Sequence, residues 1–160
     1  MKKIIYFFIL TFFLSNILFA SEKNIQVIDG DTIHIGKLKY RFFGIDAPET
    51  KQICEKNNIK IHCGVIAKNI LKNKIADKIP ECVVKDKDRY QRLVAECFIG
   101  KESLSRFMVR EGYAVAYTQY SKDFIEDEKY AKKNIIEKKS KNFLNKIYLF
   151  LKDFLYSEGV

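Results

Sequence analysis

The chain has 160 residues, 48% of them hydrophobic and 31% charged, with a formal net charge of +9. That is the size of one domain, and no repeat, linker or second compositional block divides it. The basic excess suits anionic partners, although an abundance of Lys, Asn and Ile serves solubility equally; four cysteines without a CxxC pair, and only two histidines, argue against zinc.

The first twenty residues, MKKIIYFFILTFFLSNILFA, place Lys2 and Lys3 before an almost wholly apolar stretch and end on Ala20 ahead of the polar SEKN. This is the pattern of a secretory signal peptide over residues 1–20. Cleavage before Ser21 would leave +7, the +9 of the whole chain less Lys2 and Lys3. The protein is therefore expected to be exported, periplasmic or extracellular. It would be membrane-anchored if the segment is retained, because the apolar stretch approaches spanning length. Cys54, Cys63, Cys82 and Cys97 agree with an oxidising compartment and two disulfides.

After the signal, IQVI, the turn DG, DTIHIG and KLKYRFFGI read as three short strands separated by turn residues. EKNNIKIH, between Cys54 and Cys63, reads as a polar loop. In GVIAKNILKNKIADK the apolar residues Ile66, Ile70, Leu71 and Ile75 recur at helical spacing, with Pro80 as the stop. ECVVKDKDRYQRLVAECFIG is a hairpin with a charged tip. Folded symmetrically about Arg89 and Tyr90, it sets Cys82 opposite Cys97 and Val84 opposite Ala95, which pairs Cys82 with Cys97 and leaves Cys54 for Cys63.

A short helix with Leu104, Phe107 and Met108 on one side and Gly112 at its end comes next, then the strand YAVAY, then a helix from Phe124 to Lys139. The fold class is α+β, a small domain on a curled sheet or barrel. From Phe143 to Leu155 an apolar stripe runs between lysines. It is expected to be an amphipathic helix packed on the domain, the alternative being a weak membrane-surface contact.

RFFGIDAPET puts Arg41, Asp46 and Glu49 around Pro48, at the point where a strand must give way to a loop. Asp31, just after the DG turn, shares a strand face with Ile33 and Ile35, and an acid on an apolar face needs a cation or a donor. Carboxylates with an arginine nearby suit a metal ion and an anionic substrate. Strand parity raises a difficulty, since Arg41 and Asp46 are five positions apart and a regular strand would point them to opposite faces. Either Gly44 marks a bulge or Asp46 has left the strand.

VIDGDT, RFFGIDAPET and DRYQR, in that order, resemble the three signature segments of the staphylococcal nuclease (thermonuclease) family, over about residues 25 to 140. The resemblance implies a five-stranded OB-fold β-barrel with about three helices, placed in a domain over 21–144; beyond it the stripe in the tail is expected to form a C-terminal helical extension over 145–160. It implies a Ca2+ site from Asp31, Asp46 and the Ala47 carbonyl, with Glu49 positioning or activating water. Arg41 and Arg92 would grip the scissile phosphate, while Arg89 and Tyr90 line a nucleotide pocket. The implied activity is hydrolysis of DNA and RNA with little sequence preference, single strands favoured, leaving 3′-phosphate ends; the chain is expected to be a monomer. The sequence departs from familiar relatives at Gln91, where glycine is common. Of Tyr113, Tyr117 and Tyr120, Tyr117 is the expected base-stacking platform and packing is the alternative for all three. His34 and His62 are expected to be neither base nor ligand. Two other readings are a non-catalytic OB module that binds nucleic acid, and a membrane-associated interaction protein.

Overall fold

A computed structural model describes residues 24–56 and 58–137. The signal segment, the extension at 145–160 and the stripe from Phe143 to Leu155 lie outside them. Among the described residues no helix is long and apolar enough to cross a membrane.

Strands β1 (Ile25–Val27) and β2 (Thr32–Ile35) form an antiparallel pair around the Asp-Gly turn, with Val27 opposite Ile33. A second turn returns the chain as β3 (Leu38–Phe42), which sets Arg41 opposite Thr32. On its other edge β3 pairs in parallel with β8 (Leu93–Ile99), and β8 carries β7 (Glu81–Lys87) and the short β9 (Glu102–Ser103). The strand path is β1-β2-β3-β8-β7, five strands in the expected OB-like arrangement, with no ladder between β1 and β7 among the described residues.

Gly44 resolves the parity difficulty. Its φ of 70° ends β3 after Phe42, and the chain restarts as β4 (Ile45–Asp46), which pairs with β10 (Val115–Ala116) so that Asp46 faces Val115. A Cβ at Gly44 would lie 2.8 Å from the Phe124 ring, so both backbone conformation and space demand glycine here. Asp46 has left the first strand and turned back towards Arg41.

Helix α1 (Cys63–Ile75) buries Ala67, Leu71 and Ile75, one residue per turn, while Ile66 and Ile70 flank that face. It ends on Ala76 at φ 47°, four residues before Pro80, so the backbone rather than the proline stops it. Helix α2 (Leu104–Arg110) starts on Ser103, whose hydroxyl accepts from the Arg106 N–H, and buries Leu104, Met108 and Val109. Helix α3 (Ile125–Glu137) opens with Glu126, Asp127 and Glu128, which favour its positive end. Asp127 there pairs with Arg106 and Arg110 of α2 at 2.9 and 3.2 Å.

The core gathers Ile33, Phe42, Ile45, Leu71, Leu104, Met108 and Phe124 between the sheet and the helices. Phe42 and Phe124 are each 1% exposed, burial worth about 2 to 3 kcal/mol apiece. The segment expected as a polar loop between Cys54 and Cys63 is instead a small antiparallel hairpin, β5 (Cys54–Lys56) with β6 (Ile59–Ile61), turned at Asn58 with φ 62°. Asn tolerates the left-handed region better than most residues, and the Cys54–Cys63 bond draws the two ends together. A second disulfide joins Cys82 to Cys97, directly opposite in the β7–β8 register, with Val84 opposite Ala95.

Candidate active site

Three backbone features bring the charged groups together. The turn before β2 buries Asp31 (1% exposed), the β2–β3 register puts Arg41 beside it, and the parallel β3–β8 pairing brings the residue preceding β8, Arg92, alongside. Asp31 forms an ion pair with Arg41, accepts 2.7 Å from the Ala47 N–H through Oδ2, and accepts from the Thr32 hydroxyl at 3.1 Å through Oδ1. The backbone N–H of Asp31 donates to Asp29 Oδ1, so Asp29 serves the turn itself. Arg41 Nη2 reaches Asp46 Oδ1 at 2.7 Å and the Ile45 carbonyl at 3.3 Å. One guanidinium is thus shared by both carboxylates.

Arg92 is held from the hairpin tip. Its Nε donates to Asp88 Oδ2 at 2.7 Å, and the backbone N–H groups of Arg92 and Tyr90 both donate to Asp88 Oδ1 at 2.9 Å. Partial burial pushes the Asp88 carboxyl up, but the bonds it accepts from Arg92 and Tyr90 outweigh that and hold it below the usual aspartate value. Arg92 Nη1 lies 3.5 Å from Thr32 Oγ1, so one hydroxyl links the Arg92 side to the Asp31 side. Burial pushes the Glu49 carboxyl up, with Asp29 and Asp46 adding to the shift and Arg41 and Arg92 opposing it. Glu49 therefore feels both acids and both arginines.

A cleft of about 220 Å³ opens from this cluster. Arg41 and Arg92 line it together with Asp88, Arg89, Tyr90, Tyr117 and Tyr120. Tyr90 is 62% exposed, with the Arg89 and Arg92 guanidinium groups 4.9 and 5.5 Å from its ring centre. Tyr117 and Tyr120 stack with centroids 6.1 Å apart and planes 9° from parallel. The Tyr120 hydroxyl donates to Asp86 at 3.1 Å, and that carboxylate pushes its phenol up. Tyr113, only 7% exposed, belongs to the core.

Of the expected site residues Arg41, Arg89, Tyr90, Arg92 and Tyr117 line the cleft; Asp31 and Asp46 do not, but each pairs with Arg41 at its edge, and Glu49 is joined to the cluster through electrostatics alone. Thr32 and Asp88 were not among the residues the sequence singled out, and Tyr120, weighed there beside Tyr117, lines the cleft with it. Asp88 had a local signal, an acid four positions before an arginine, whereas Thr32 lies sixty positions from Arg92 and gave none.

The fold is an OB-like α+β domain with a carboxylate–arginine cluster beside an aromatic cleft. Residues 39–145 match the family described as staphylococcal nuclease homologue, and the chain belongs to that family. Among its relatives, an endonuclease of Haemophilus influenzae, itself uncharacterized, is 34% identical over 113 residues, 65% of this chain and 58% of that protein. The thermonuclease of Staphylococcus hyicus is 34% identical over 110 residues, 64% of this chain and 63% of that protein. The succinoglycan biosynthesis protein ExoI of Rhizobium meliloti is 34% identical over 94 residues, 56% and 49% of the two chains. The matched segments span about half to two thirds of these three relatives.

Proposed function

We propose that the chain is a calcium-dependent nuclease that hydrolyses phosphodiester bonds in DNA and RNA with little sequence preference. The observation that carries this reading is the convergence of Asp31 and Asp46 on Arg41, with Glu49 in electrostatic reach and Arg92 one hydroxyl away. The names endonuclease and thermonuclease borne by relatives support the same class.

Calcium fits the donors at hand. Asp31, Asp46 and the Ala47 carbonyl offer hard oxygens, the two carboxylates already face one cation, and the 43% exposed Asp46 side chain leaves room for water. Among the described residues no three His, Cys, Asp or Glu side chains gather into a metal cage, so solvent would complete the ligand set. When bound, the ion supplies positive charge to a phosphate oxygen.

The remaining work falls to the chain's own groups. Arg41 and Arg92 offer planar donor forks to the phosphate, and Asp88, by holding Arg92 through Nε, keeps that fork aimed at the cleft. Glu49 accepts a proton or a hydrogen bond from the attacking water, a task helped by a carboxyl whose proton affinity burial has raised. Water adds to phosphorus as the bond to the 5′ oxygen breaks, leaving a 3′-phosphate and a 5′-hydroxyl, the departing oxygen taking its proton from solvent. Tyr90 and Tyr117 stack on bases that are free of a partner strand, which favours single strands. The two disulfides support an exported protein.

The test is cleavage of a single-stranded oligonucleotide across a calcium titration. EDTA should abolish activity of the wild type. Asp31→Ala should weaken calcium affinity and recover part of its rate at high calcium, whereas Arg92→Ala should lose about 100- to 1,000-fold in turnover with no rescue. A folded Arg92→Ala protein with near wild-type turnover would remove Arg92 from the mechanism, a wild type that cuts equally well in EDTA would remove the calcium requirement, and a folded wild type that binds the oligonucleotide without cutting it at any calcium concentration moves the assignment to a non-catalytic nucleic-acid-binding module.

A further inference from the structure

The Glu49 carboxylate makes no hydrogen bond or ion pair among the described residues, and the residue is exposed overall although its carboxyl is partly shielded from solvent. Its direction must therefore come from its backbone. That backbone is fastened at three points. The Gln52 N–H donates to the Glu49 carbonyl at 2.8 Å, closing a tight turn, and the Glu49 N–H donates in return to Gln52 Oε1 at 3.0 Å. The Thr50 hydroxyl donates to the Ile28 carbonyl at 2.6 Å, tying the turn to the end of β1.

The turn lies against the first turn of α1. The Gly64 N–H donates to the Gln52 carbonyl at 3.4 Å. A Cβ placed on Gly64 would collide with the Glu49 carbonyl oxygen, and would stand 2.6 Å from the carbonyl carbon and 2.9 Å from Thr50 Cα. These are backbone atoms, with no flexible side chain to swing aside. Glycine is the poorer helix former by about 1 kcal/mol, and no positive φ demands it at this position, so space alone accounts for it. The neighbouring Cys63 is bonded to Cys54, two residues beyond Gln52, which closes the segment joining turn and helix.

We propose that Gln52 and Gly64 are positioning residues for Glu49, fixing the turn that carries the acid against the start of α1. This rests on the reading in which Glu49 acts on the attacking water. Neither residue touches substrate; both act through the placement of one carboxylate.

The experiment measures kcat and KM on a single-stranded oligonucleotide at saturating calcium for wild type, Glu49→Gln, Gly64→Ala and Gln52→Leu, and for each of the last two combined with Glu49→Gln. Gly64→Ala and Gln52→Leu should each lower kcat about 10- to 100-fold while KM stays within about twofold, the scale expected of a small misplacement. Neither should cost anything further once Glu49 is already Gln, since a residue acting through Glu49 has nothing left to position. Amide hydrogen exchange on the metal-free protein gives a readout independent of turnover: protection at Glu49 should fall at least about tenfold in Gln52→Leu, whose side chain offers no acceptor.

Losses that multiply in the Glu49→Gln background, wild-type kcat in both single variants, or unchanged Glu49 protection in Gln52→Leu would overturn the proposal while leaving Glu49 its role. Wild-type turnover in Glu49→Gln itself would instead remove that role and the positioning claim with it. Should Gly64→Ala fail to fold by circular dichroism, the Gln52→Leu series decides alone.

Discussion

Gln91 occupies the left-handed region at φ 65°, exposed at the tip of the β7–β8 hairpin, where its own N–H donates to the Asp88 carbonyl and Asp88 gathers the amides on either side. A side chain there costs backbone strain that glycine avoids, offset in part by the freedom glycine gains when unfolded. Gln91→Gly is therefore expected to stabilise the protein by about 0.5 to 1 kcal/mol, read as a higher urea midpoint with unchanged slope. A lower midpoint would mean that the tip conformation depends on the glutamine side chain. At this scale the sequence exposed the oddity but not the remedy. The absence of glycine was visible in DRYQR, whereas the three bonds that the Asp88 carboxylate accepts to hold the turn around Gln91 needed the folded hairpin to be seen.

The β7–β8 hairpin carries Arg92 at its tip and the Cys82–Cys97 bond across its base, fifteen residues apart in sequence. Closing a loop of that size restricts the unfolded chain by about 3 kcal/mol in the entropy model. Replacing both cysteines with serine should lower unfolding stability by roughly that amount, measured in urea. An unchanged stability, or peptide mapping of non-reduced protein that links Cys54 to Cys82 or Cys97, would contradict the pairing. Symmetric counting about Arg89 and Tyr90 found the pairing at the base, but the tip pairs Asp86 with Val94 and Lys87 with Leu93, one place off that count, and a bulge between Val84 and Asp86, invisible in the sequence, reconciles the two. The hairpin between Cys54 and Cys63 was not legible: two three-residue strands joined at an αL asparagine have too little hydrophobic alternation to register as β.

The whole chain carries +9, and the cleft displays Arg41, Arg89 and Arg92 together. If nucleic acid is the partner, binding should release counterions. The affinity for a single-stranded oligonucleotide, measured by anisotropy in EDTA so that nothing is cut, should fall with salt with a log–log slope of about −3 for roughly four neutralised phosphates. A flat response would argue against the nucleic-acid reading at the level of the molecule.

The types and order of the charged groups were determined by the sequence alone. Asp31, then Arg41 with Asp46 and Glu49, then Arg92 stand in three short segments whose composition is costly in a core; the family match over residues 39–145 spans the last two of those segments. What only the tertiary structure decided is how those segments meet. The parallel β3–β8 pairing brings Arg92 within reach of Thr32, the turn at Gly44 swings Asp46 back onto Arg41, and a bare Gly64 lets the Glu49 turn settle on α1. The physical reason is range: a turn or a strand face is set by neighbours within a few residues, whereas a contact across sixty positions exists only once the sheet has closed the loop between them.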